Sequence, residues 1–214
     1  MKGKGIILIH KGIMEKIRNN KNLAVILFAV YIALVALSDF IAFNGVDTLF
    51  TLFIDLGLII IIILGYYIDS FKNASKLALL GLMAYKLIGA AYDIQRLAWF
   101  YDNMPWYDIL MVICYAVAGF TAVAIIILLV VKYVTNNNSF TNILILLVLI
   151  LGCSLALAGF FNMIGSFIND DTRQGIASIF GFLAPAVLAF AFVASFDRAN
   201  LKFVESNDTK SSEE

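Results

Sequence analysis

The sequence predicts an all-α integral membrane protein, a bundle of six transmembrane helices with both termini cytoplasmic. Three observations carry that expectation. Of 214 residues, 62% are hydrophobic and only 14% charged, against about 25% charged in an ordinary soluble domain, and mean hydropathy is +0.94. Apolar runs close to the roughly 20 residues that a ~30 Å hydrocarbon core requires follow one another between short polar breaks. Lys and Arg, finally, are concentrated on alternate breaks. The runs are continuously apolar rather than alternating with period two, which argues against a closed β-barrel.

Residues 1–22 read as a basic amphipathic cytoplasmic arm. Ile6, Ile9, Ile13 and Ile17 recur at near-helical spacing with Lys11, Lys16 and Arg18 between them, the pattern of a helix lying on an anionic membrane surface. Its GIILI run is too short for a signal-peptide core. The six-helix domain is expected over 23–196. Its first span, 23–43, carries Tyr31, Ser38 and Asp39 and ends at the turn NGVD. The second, 48–68, holds Asp55. After the break DSFKNASK, the third, 77–92, holds Lys86.

The segment 93–108, DIQRLAWFYDNMPWYD, sets Trp99 and Trp106 among other aromatics and acids. Rings with polar edges favour the headgroup level, so Trp99 and Trp106 are expected at the membrane interface. The fourth span, 109–131, is nearly free of polar groups. The fifth, 143–167, includes Asn162 and the small residues Gly152, Ala156 and Gly159, which suit close helix packing. The sixth, 175–196, contains Pro185. Residues 197–214 read as a disordered cytoplasmic tail.

Twelve Lys and Arg fall in the arm, the second and fourth breaks and the tail; only Arg96 and Arg173 fall on the other side, and Lys86 lies within the membrane. The positive-inside rule therefore places both termini in the cytoplasm. Richness in Asn and Ile points to an AT-rich bacterial genome and, on that basis, to a multi-pass protein of the plasma (inner) membrane.

Two charges stand out because they lie deep in apolar spans, where ionisable residues are costly and mark polar pathways. Helix rise puts Asp55 about 10 Å below the outer boundary and Lys86 about 15 Å above the inner one. In a ~30 Å core they share a level to within about 5 Å, and consecutive antiparallel helices usually pack together, so an Asp55–Lys86 ion pair is expected. Asp39, at the outer end of the first span, and Asp93, seven residues beyond Lys86 on the same helix face, suggest the mouth of an outward-facing vestibule. Tyr31, Tyr66, Tyr67, Tyr85, Tyr92 and Asn162 are candidate hydrogen-bonding partners. The competing reading is a structural pair that merely holds two helices in register.

Several chemistries find no support. The only histidine, His10, is in the arm, and neither a HExxH motif nor a Gly-rich phosphate loop is present. Cys114 and Cys153 form no metal-ligand or redox spacing. No cofactor and no catalytic or metal-ligating set is indicated, and zero net charge gives no reason to expect a nucleic-acid partner. The sequence therefore points to a small transporter or channel-type protein for an ion or polar solute, more readily than to an enzyme. The alternative is a non-catalytic scaffold, assembly factor or regulatory subunit. Expected partners are the lipid bilayer and either another membrane protein or a second copy.

Overall fold

Lys, Asn, Ser and Asp are poor in lipid but tolerated in a helix, so helices can continue beyond their apolar runs. The computed structural model describes residues 21–43, 46–98, 104–135 and 140–208. Among these the chain is all-helical, without strands: α1 (Lys21–Ile41), α2 (Val46–Tyr67), a 3-10 turn (Asp69–Phe71), α3 (Lys72–Ala98), α4 (Trp106–Thr135), α5 (Thr141–Ile168) and α6 (Thr172–Asp208). Five are long and apolar enough to cross a membrane, over Leu23–Ile41, Asp69–Leu97, Trp106–Thr135, Thr141–Ile168 and Thr172–Ala194; within α2 the apolar stretch is the shorter Leu49–Gly65. The predicted amphipathic arm and Trp99 lie outside the described residues.

The helices outrun the predicted spans at several ends. Most of the KNASK break is the first turn of α3, and Asp93–Arg96 form its last turns rather than a segment separate from it. In α6 the backbone stays helical to Asp208, past the boundary expected at 196, and no Gly or Pro interrupts residues 186–208. Pro185 sits inside this same helix.

Each helix packs on its neighbours in sequence, and α6 returns to α1, closing a ring. α1 packs chiefly on α6 and only lightly on α2. Polar anchors explain the firm side. Ser38 Oγ donates to the Ala177 carbonyl at 3.0 Å. Arg173 Nε donates to the Ile41 carbonyl, and its Nη2 to that of Phe43 at 3.3 Å. Carbonyls at a helix C-terminus lack intrahelical donors, and a cation there also meets the negative end of the helix dipole.

The α5–α6 reversal is equally specified. Asp170 adopts φ 58°, a left-handed conformation that Asp tolerates better than most residues. Asp171 Oδ1 then accepts from the Gln174 N–H at 3.0 Å, the N-cap bond that starts α6. Between these two helices a Cβ at Gly159 would stand 2.9 and 3.0 Å from Cα and N of Phe182, and one at Gly152 would stand 3.0 Å from the Pro185 carbonyl oxygen. Small residues thus let the two backbones approach, as expected from sequence.

The main core draws on all six helices: Phe28 from α1; Ile59 and Ile62 from α2; Leu82 and Met83 from α3; Ile125 and Leu129 from α4; Leu144 and Val148 from α5; Leu188 and Phe192 from α6. The chain reverses at every connection, so these residues all lie toward the end of the bundle where α1 starts. A smaller core of Leu97, Met111 and Ala158 fills the opposite end between α3, α4 and α5.

Gly159→Ala should therefore lower the melting temperature of the detergent-solubilised protein, by the roughly 1–3 kcal/mol of overpacking. Gly57→Ala, where a Cβ meets nothing within 4 Å, should leave it unchanged or raise it, by up to about 1 kcal/mol of helix propensity. Thermal unfolding of the two variants beside wild type checks the contrast.

Candidate functional site: a charged ring on the apolar core

Helical spacing places three polar side chains one turn beyond the core. Tyr31 follows Phe28 by three residues, Asp55 precedes Ile59 by four, and Lys86 follows Met83 by three, so each continues a buried apolar stripe. They meet in the bundle interior. Lys86 Nζ donates to Asp55 Oδ2 at 2.8 Å and to Oδ1 at 3.2 Å, and to the Tyr31 hydroxyl oxygen at 2.9 Å. The Tyr31 hydroxyl in turn donates to Asp55 Oδ2. The result is a closed ring of hydrogen bonds from three helices, two of its three members forming an ion pair.

The ring is shielded from surroundings on most sides. Asp55 is 5% exposed and Tyr31 2%, and the Lys86 side chain 19%. The ammonium also lies over two aromatic faces, 5.6 Å from the Tyr31 centroid and 5.1 Å from that of Tyr85, within range of cation–π attraction. Tyr85 is itself fixed by a side-chain hydrogen bond with Thr51, which shares a face of α2 with Asp55, one turn away. A lysine is acceptable here because its charge is paired and its donors have acceptors, the condition for a buried ion.

The expected Asp55–Lys86 pair is thus present, with Tyr31 and Tyr85 as its partners. Asp39, partly buried on α1, lies within electrostatic reach of both Asp55 and Lys86. Asp93 has other company: it is hydrogen-bonded to Tyr115 of α4 beside Arg96, and Arg96 also faces Asp108 at the start of α4. The structure therefore groups Asp39 with the ring and gives Asp93 its partners at the α3–α4 end. Trp106 opens α4, 55% exposed, with its ring against Tyr107 and Phe161.

Of the remaining candidates, Tyr67 and Tyr92 are exposed. Asn162 donates to Ser178 Oγ at 2.8 Å in the α5–α6 seam, where Ser178 Oγ donates onward to the Gln174 carbonyl. Both side chains thus find partners within the seam. Lys132 was counted in the sequence as a loop charge, yet it is buried at 7% and donates to Thr141 Oγ1 at 3.3 Å. Its place in the last turn of an apolar helix was the available signal. Cys114 and Cys153 are free thiols, and among the described residues no cluster of metal-ligating side chains occurs.

The class that these features define is an all-helical protein with several helices fit to cross a membrane and a charge-paired ring inside. Compared with protein-family models, curated proteins and solved structures, the chain finds no match.

Breaking a buried pair by removing one partner strands the other charge, at a cost of about 3–5 kcal/mol, whereas replacing both is often neutral. Asp55→Asn and Lys86→Met should each lower the melting temperature in detergent, and the double variant should recover most of the loss. Equal and additive losses would mean that the pair is not coupled.

Proposed function

We propose that the chain is a six-span protein of a bacterial plasma membrane, both termini cytoplasmic, that passes an ion or polar solute through its bundle. The Tyr31–Asp55–Lys86 ring is its gate. The observation that supports this reading is the position of the ring at a change in character of the bundle interior. Toward the start of α1 lies the main apolar core. In the other direction α1 passes Leu34 and Val35, which still pack on that core, before it carries the polar Ser38 and Asp39, and one turn from Asp55 on α2 the exposed Thr51 is polar as well. A polar solute entering from that side meets the ring as the last polar group before a dry barrier.

Six spans are counted because α2, with 22 residues, measures about 33 Å at helical rise, enough for a ~30 Å core. Moving the solute requires the ring to open, and its strength makes the closed state the resting one. Asp55 and Lys86 supply opposite charges, so either an entering cation or an entering anion has one partner to displace and one to join.

Wild type reconstituted in liposomes should show a flux of a small ion or polar solute that Asp55→Asn and Lys86→Met each reduce at least about tenfold, the effect of ~1.4 kcal/mol on a barrier. A wild type without flux, or variants equal to it, would remove the transport reading. Orientation is checked separately. With Cys114 and Cys153 replaced by Ala, a cysteine at Asn169 should react with a membrane-impermeant maleimide in intact bacterial cells, and one at Ser70 only after lysis.

A further inference from the structure

Lys86 is a primary alkylammonium held by a nearly complete receptor for that group. Its three N–H donors find Asp55 Oδ1, Asp55 Oδ2 and the Tyr31 hydroxyl oxygen at 3.2, 2.8 and 2.9 Å. Two tyrosine rings flank the nitrogen at 5.6 and 5.1 Å. A second carboxylate, Asp39, lies within electrostatic reach of both Asp55 and Lys86, so a displaced Lys86 has another acid group near it. We propose that Tyr31, Asp55 and Tyr85 form a seat for a small primary ammonium ion, which competes with Lys86 for it while the displaced Lys86 turns to Asp39. This rests on the reading of the ring as a gate and names the ligand that opens it.

The chemistry of the seat selects its ligand. Three oxygens from two side chains are too few for Ca²⁺ or Mg²⁺, which take six or more oxygen ligands. A quaternary ammonium would satisfy the aromatic faces but has no N–H for Asp55 and Tyr31. A primary ammonium satisfies both, as the lysine itself does. The level of Asp55, about 10 Å inside the boundary by helix rise, favours a free ion over the amine of a lipid headgroup.

The test vacates the seat. Lys86→Ala removes a three-carbon ammonium, so n-propylammonium is the missing piece. In phosphatidylcholine nanodiscs, which contain no aminolipid, n-propylammonium should raise the melting temperature of Lys86→Ala saturably. Tetramethylammonium should not, and Lys86→Ala combined with Asp55→Asn should respond to neither. An Ala variant that ignores n-propylammonium, or responds equally to tetramethylammonium, overturns the proposal. A seat filled by an aminolipid headgroup instead would show as loss of the n-propylammonium response when phosphatidylethanolamine is added to the disc, and would overturn the free-ion assignment.

Should Lys86→Ala not fold, wild type decides by equilibrium dialysis with radiolabelled methylammonium. Saturable binding weakened about tenfold by Asp39→Asn, or ~1.4 kcal/mol, supports the seat; no saturable binding overturns it. The two readings fail separately. Amine binding without any flux in wild type leaves the seat and removes the gate, whereas flux of another solute without amine binding does the reverse.

Discussion

An ammonium and a carboxylate can stay charged inside a packed bundle only if each is the other's solvent. The Lys86–Asp55 contact meets that condition with help from Tyr31, whose hydroxyl accepts from one and donates to the other. The rest of the arrangement is answerable to this requirement. The ring fixes the rotation of α1, α2 and α3 about their axes, because a turn of any one of them would withdraw a partner and leave a buried charge unpaired. It also fixes their relative sliding: the three residues must share a level, and the apolar stripes below them then come into register as a single core.

That coupling explains why the bundle is uneven. Where the ring sets the register, side chains from all six helices interlock without exposure, Phe28, Ile59, Leu82, Ile125, Leu144 and Ala191 all reaching 0%. At the other end the packing is divided, with a small apolar cluster between α3, α4 and α5 and a hydrogen-bonded seam among α1, α5 and α6 built on Ser38, Asn162 and Ser178. Neither arrangement reaches across to the first turns of α2, where Phe50, Thr51 and Phe53 are exposed.

Much of this was legible before the fold was seen, and what was not has identifiable causes. The helical class and the crossing lengths follow from hydropathy. The meeting of Asp55 and Lys86 follows from depth, since one coordinate along the bundle axis is simply a count of residues. Rotation about a helix axis is not counted that way. Tyr31 was therefore only one of several candidate partners, and Asp93 was drawn toward Lys86 by its shared face when Tyr115 and Arg96 are what it engages. Hydropathy also measures what lipid tolerates rather than where a helix ends, hence the longer α3 and α6. The return of α6 to α1 depends on residues more than a hundred positions apart and left no local trace.

The clamp of Arg173 and Ala177 on the end of α1 bears on the order of assembly. Its bonds join residues separated by 130 to 139 positions, while those of the ring span 24 to 55. Contacts distant in sequence wait for the chain between them, and domains made in sequence form their local contacts first. As the chain emerges, α1 therefore meets Asp55 and Lys86 long before α6 exists. Through that interval, with little packing on α2, the first helix has its polar tie to the second and third in one tyrosine hydroxyl between two opposite charges.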